Sequence, residues 1–118
     1  TAHIMESNVD TGKIIGVKSF TMYEKETVES LSIKTYEAQL SLYKELMGFI
    51  FDNNCLPKIN YKWKRKPIKR SELEELSSIN VNMSDAEIKK RIRCTYYHGK
   101  PAPFIKICGY KFEYNPER

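Results

Sequence analysis

The sequence predicts a mixed α/β fold, of the α+β kind over the 118 residues given. Three observations predict it. Short β-branched runs flank an Asn/Asp/Gly turn near the start, about 27 residues then carry helical periodicity, and two alternating strands surround Cys108-Gly109 near the end. The composition, 41% hydrophobic and 30% charged, belongs to a folded domain and excludes a collagen-like or disordered chain. No apolar run approaches the ~20 residues needed to span a bilayer, so no membrane association is expected. The length suits one domain or a piece of a larger one. Because the chain opens straight into strand-like residues, an upstream continuation is expected.

The elements follow in order. Residues 1–6 read as a strand, with Ala2 and Ile4 alternating against His3. Ser7 to Gly12 carry turn chemistry, with Asn8, Asp10 and Gly12 in close order. Lys13 to Phe20 read as a second strand, rich in β-branched Ile14, Ile15 and Val17. A long helix is expected from Thr27 to Asn53, with Thr27 as N-cap and Glu29 in the first turn, where the helix dipole favours an acid. Val28, Leu31, Tyr36, Leu40, Tyr43, Met47 and Ile50 recur mostly every three or four residues and predict one buried face. At ~1.5 Å per residue this helix is roughly 40 Å long, too long for two short strands to cover. Asn53-Asn54 and then Pro57 end it.

Ile59 to Lys64 alternate apolar and polar, as a strand with one wet face would. Ser71-Glu72-Leu73-Glu74 and Ser84-Asp85-Ala86-Glu87 are two capping boxes, each opening a short helix. Pro101 and Pro103 make an extended connector to a hairpin over Phe104–Ile107 and Tyr110–Tyr114, with Tyr110, Phe112 and Tyr114 on one face and expected in the core. Two regions result, residues 1–56 and a basic second region over 57–118.

Charge separates the same two regions. Residues 1–53 carry 5 basic and 8 acidic side chains; residues 54–118 carry 15 basic and 7 acidic. The excess concentrates in Lys58, Lys62, Lys64, Arg65, Lys66, Lys69 and Arg70, a run that is either a solvated face or an attractor of phosphorylated ligands. Three cysteines without a C-x-x-C pair argue against a disulfide framework or a zinc site, and fit a reducing, cytoplasmic setting.

The candidate chemistry lies in Asp10-Thr11-Gly12 and His3. The triplet resembles the signature of retroviral-type aspartic proteases, but a long helix does not belong in such an all-β subunit. An Asx-type turn between strands also explains the triplet. A histidine and an aspartate at the two ends of a strand–loop unit can meet, the carboxylate orienting the imidazole or accepting a proton.

Taken in order, T-x-H-x-M-x-x-x-x-D-T-G-x-I-I, the T-V-x-S-L helix start, the basic run, R-I-R-x-x-Y-Y and the G-Y-K-F hairpin resemble the C-terminal part of the folate-dependent formyltransferases. The resemblance covers nearly the whole chain. It implies the last strands and long helix of a Rossmann-like catalytic domain, followed by a small helix and β-hairpin region. In that family an amine attacks the formyl carbon of N10-formyltetrahydrofolate. The resemblance implies that Asp10 helps remove the amine proton and that His3 supports it, with Asp10, Thr11 and Gly12 at the folate. The family's catalytic Asn and His and its S-x-L-P folate loop lie upstream of the matched segment, so these residues alone are expected to be inactive. His98 stands in a Pro/Gly connector without the Asn partner motif and does not replace the family's histidine.

Within the family, the layout is most similar to the sugar N-formyltransferases, which act on nucleotide-linked amino sugars and often dimerise. Methionyl-tRNA formyltransferases carry a much longer region after the R-I-R segment. The basic run, with Tyr61, Trp63, Tyr96 and Tyr97, is then expected at the sugar nucleotide or at a homodimer interface. The alternatives are a methionyl-tRNA formyltransferase-like protein and a non-catalytic basic binding or dimerisation module. Nucleic acid is not an expected partner, because no aromatic strand pair of the RRM type is present.

Overall fold

In the computed structural model, which describes residues 1–117, the chain is mixed helix and strand, α+β in class. It forms two compact units, residues 1–22 with 33–67, and residues 23–32 with 68 onward.

In the first unit the Asn8–Gly12 turn sets β1 (Ala2–His3) antiparallel to β2 (Ile14–Gly16), pairing Ala2 with Gly16 and His3 with Ile14. The Ile4 N–H donates to the Lys13 carbonyl at 3.0 Å and extends the ladder by one bond. Both strands are shorter than the sequence predicts, because beyond them the backbone finds no partner strand among the described residues.

Helix α1 (Val28–Asn53) runs where the sequence predicts it. Its cap is reciprocal: Thr27 Oγ1 accepts the Ser30 N–H at 3.1 Å, and Ser30 Oγ accepts the Thr27 N–H at 3.0 Å. Asn54, at φ 51°, ends it in the left-handed region and donates to the Ile50 carbonyl at 2.8 Å. From residue 33 onward α1 belongs to the first unit and lies on β2. Gly16 permits that approach, since a Cβ there would stand 3.0 Å from a Leu42 methyl and 3.2 Å from one of Leu46. Leu42 and Ile14 are the buried hydrophobic residues of this unit. On the same side of α1, the Lys18 ammonium donates to Ser41 Oγ at 2.7 Å and pairs with the Glu45 carboxylate.

The predicted buried stripe divides. Val28 and Leu31 are half-buried, but Tyr36, Leu40 and Tyr43 are 65%, 56% and 60% exposed. The face that packs centres on Leu42 and includes Ala38 and Leu46. Both arcs of the helix are apolar, and the strands cover only one of them. Ile59–Lys64 form no strand; they run as an irregular segment that carries Trp63 to the Gly12 carbonyl.

In the second unit α2 (Arg70–Ser77) leads directly into β3 (Ser78–Ile79), and α3 (Asp85–Thr95) precedes the hairpin β4 (Phe104–Ile107) and β5 (Tyr110–Glu113). The sheet order is β3-β4-β5, with β3 parallel to β4 and β4 antiparallel to β5. Positive φ at Cys108 (50°) and Gly109 (84°) marks a two-residue I′-like turn. Ser84 caps α3 as predicted, its Oγ accepting the Glu87 N–H at 3.2 Å. Helix α2 starts one residue before Ser71. Lys69 is its N-cap, and the Glu72 carboxylate three residues on accepts the Lys69 N–H at 2.9 Å.

Arg91 closes the other end of α2. Its Nη1 donates to the carbonyls of Glu75, Leu76 and Ser78 at 3.0, 3.2 and 3.0 Å, while its Nε donates to Glu87 at 2.9 Å. One guanidinium thus satisfies carbonyls that a helix end leaves orphaned. Arg93 does the same for the turn before α1, donating to the carbonyls of Glu24 and Glu26 at 2.5 and 2.7 Å. Pro103 and Phe104 are the buried residues at the sheet. The hairpin aromatics expected in the core are outside it: Tyr110 is 71% exposed and Phe112 55%. The strand that carries them, β5, lies at the sheet edge, and all its positions are exposed.

Candidate functional site

The turn between β1 and β2 is held from three directions. Asp10 takes a left-handed conformation, φ 53°, which Asp tolerates better than most residues because its short carboxylate bonds locally. Thr11 Oγ1 donates to the Asn8 carbonyl at 3.0 Å. Gly12 is buried against the opposite strand, where a Cβ would fall 1.7 Å from the Ile4 oxygen. Only glycine fits there; the requirement is steric, not a special φ. The Trp63 indole N–H donates to the Gly12 carbonyl at 2.8 Å and ties the segment after α1 to the turn.

This arrangement brings His3 and Asp10 together. His3 Nε2 lies 3.9 Å from Asp10 Oδ1, and the two side chains are 28% and 43% exposed. That distance is beyond a direct hydrogen bond but short enough for one water or a small side-chain rotation to connect them. The other ring nitrogen, Nδ1, is 3.0 Å from the Ile4 carbonyl. With the proton on Nδ1 donated to that carbonyl, Nε2 faces Asp10 as an acceptor, and a second proton there would face the carboxylate. Trp63 packs edge-on against the imidazole, centroids 5.0 Å apart and planes at 77°, which restricts its rotation. The site therefore offers a partly exposed carboxylate, an oriented imidazole beside it and an aromatic wall.

Asp10, Thr11, Gly12 and His3 thus gather at one end of the β1–β2 pair, as their spacing suggests. What spacing did not show is Trp63, which arrives from 51 residues away. Arg91 and Arg93 stood in a basic helix with no signal that their guanidinium groups turn back onto carbonyls. Lys58, Lys62, Lys64, Arg65, Lys66, Lys69 and Arg70 are all exposed, and Lys64 sits over the Tyr61 ring at 5.3 Å. His98 is exposed in the Tyr97–Lys100 turn of the second unit. That unit has an open cleft of about 270 Å³ lined by Thr27, Glu29, Ile92, Arg93, Tyr96 and Tyr114. Tyr96 and Tyr114 meet edge to face there, 5.5 Å apart.

Compared with protein-family models and with curated proteins, the chain matches none. Among the described residues, no helix is long and apolar enough to cross a membrane. The cysteines Cys55, Cys94 and Cys108 are unpaired and exposed.

Proposed function

We propose that residues 1–56 belong to the acid–base side of a folate-dependent formyltransferase, in the last strands and long helix of a Rossmann-like domain. The acceptor in this reading is the amine of a nucleotide-linked amino sugar. The observation that carries it is the His3–Asp10 pair on one strand–turn–strand unit, in a chain whose motif order resembles that family.

The chemistry requires such a pair. An amine attacking a formyl carbon must shed a proton as negative charge grows on the carbonyl oxygen, so a base has to stand beside the nitrogen. Asp10 can accept that proton directly or through water. His3, restrained by the Ile4 carbonyl and the Trp63 edge, stands beside that carboxylate in a supporting role.

The residues present fit this side of a folate site and no more. The Thr11 hydroxyl and the Gly12 carbonyl are already engaged, with Asn8 and Trp63, and none of His3, Asp10, Thr11 or Gly12 lines the described cleft. N10-formyltetrahydrofolate supplies the formyl group, and its pterin would have to be held by residues outside this chain. The reading therefore requires an upstream segment with an Asn-x-His and an S-x-L-P loop, and makes these residues alone inactive. It also carries a cytoplasmic setting, which the unpaired cysteines suit.

The test is formyl transfer from N10-formyltetrahydrofolate to a panel of nucleotide-linked amino sugars, using the full-length product of the reading frame that encodes these residues. Asp10→Asn should cut turnover by about 10²-fold or more with no loss of thermal stability. Turnover by Asp10→Asn at the level of the unsubstituted enzyme would refute the assignment.

A further inference from the structure

The uncovered arc of α1 has a repeat of its own. Ile33, Tyr36, Leu40, Tyr43, Met47 and Ile50 follow spacings of three and four residues in alternation, the a/d seam of a coiled coil. Ile33, Tyr36, Leu40 and Tyr43 are 55–65% exposed, while Met47 and Ile50 are half-buried. The seam runs ~26 Å along the helix at 1.5 Å per residue. It lies entirely within the part of α1 that belongs to the first unit.

We propose that this seam binds the same seam of a second copy of the chain, with the two helices antiparallel about a two-fold axis. The register follows from the spacing. Leu40 packs beside Tyr43 of the second copy, Tyr36 beside its Met47, and Ile33 beside its Ile50; each pair occurs twice by symmetry. Every layer is apolar.

The flanking charges decide the orientation. The positions beside the seam on one side are Glu37 and Lys44. In the antiparallel register Glu37 of each copy stands against Lys44 of the other, giving two ion pairs. A parallel pairing would instead place Glu37 beside Ser32 and Lys44 beside Gln39, which gives none. Glu37 and Lys44 are both exposed, and among the described residues neither takes part in an ion pair. By contrast Glu45, on the packed side of the same helix, is paired with Lys18.

The exposed area argues for covering surface of some kind. The chain exposes 10041 Å², whereas two compact globules of half its 13.9 kDa mass would together expose about 8,000 Å². The inference is independent of the formyl-transfer reading: it uses none of His3, Asp10, Thr11 or Gly12, and the assay above does not bear on it.

The test is the mass of the 118-residue chain in solution by sedimentation equilibrium across ~1–300 μM, with four variants checked for folding by circular dichroism. The expected species is a dimer. Leu40→Glu, at an exposed position, should leave a folded monomer. Glu37→Lys and Lys44→Glu should each weaken association roughly tenfold, and the double variant should restore it to within about twofold. A wild-type monomer throughout the range overturns the proposal. So does a dimer that Leu40→Glu leaves intact, which would use another surface. A dimer in which the double charge swap fails to rescue the single ones overturns the antiparallel register.

Discussion

Gly12→Ala is the sharpest perturbation of the candidate site, and Gly48→Ala is its internal control. At Gly12 a methyl group would sit 1.7 Å from the Ile4 carbonyl oxygen, whereas such contacts do not fall below 3.0 Å. The two backbones must therefore separate by at least 1.3 Å, the difference between those figures. Neither atom is at the end of a flexible side chain, so the strand pair itself has to open. Two hydrogen bonds stand in the way: Ile4 N–H to Lys13 at 3.0 Å, and Trp63 N–H to Gly12 at 2.8 Å. Each contributes about 0.5–1.5 kcal/mol net, and forced overpacking costs another ~1–3 kcal/mol, which together give about 2–6 kcal/mol of destabilisation. At a few degrees per kcal/mol, the melting temperature should fall by roughly 10–30 °C.

Gly48 is the opposite case. It lies inside α1, and a Cβ there would meet nothing within 4 Å. Alanine should stabilise the helix by about 0.5–1 kcal/mol through backbone entropy alone. The assay is urea denaturation followed by fluorescence. Trp63 is the single tryptophan and its ring lies against His3 at the Gly12 turn, so the signal reports on the unit being tested. A Gly12→Ala midpoint equal to that of the unsubstituted chain would refute the close approach of the two strands. A Gly48→Ala midpoint below it would refute the open helix face.

Two further predictions concern the hairpin and the surface charge. Cys108→Asn should raise stability by about 0.5–1 kcal/mol in a thermal melt, because Asn tolerates the left-handed φ of 50° better than Cys and makes the preferred Asn-Gly turn; no gain would contradict the turn geometry. The Glu45 carboxyl is held below the ordinary carboxylate range, chiefly by its hydrogen bond from Lys18. A carboxyl with a depressed folded-state pKa contributes stability that is present above its unfolded value and lost as pH falls through the folded one. The unsubstituted chain should therefore be more stable than Glu45→Gln near neutrality. The gap should close as pH falls from ~6 to ~3, by a small amount for so exposed a group. A gap that widens toward acid would show that the pair does not favour the charged carboxylate.

Local signals in the sequence were enough for the helices, the turns and the hairpin. Thr27, Asn54, Ser84 and Cys108-Gly109 each act through bonds or dihedrals that involve only a few neighbouring residues, so their effect is written in the order of residues. The same holds for the meeting of His3 with Asp10, which a single turn brings about. The apolar stripe of α1 was legible as a stripe but not as a face. Tyr36, Leu40 and Tyr43 have the spacing of buried residues, yet the β1–β2 pair lies against Leu42 and Leu46 instead. Periodicity records that a surface is apolar; which surface a small sheet covers depends on where that sheet sits, and Gly16 permits its close approach to Leu42 and Leu46.

Tertiary structure alone decided the rest. Trp63 reads as part of an alternating strand, and only the fold puts its N–H on Gly12 and its ring edge on His3. Arg91 and Arg93 read as surface cations, and only the packing of α3 turns them onto orphaned carbonyls. The parallel pairing of Ser78-Ile79 with Phe104-Ile105 joins residues too few and too distant to leave a pattern. The division follows from range. Caps, turns and helical periods are decided within a few residues and are written in the sequence, whereas the partners of long side chains and of two-residue strands are decided by chain segments that meet only after folding.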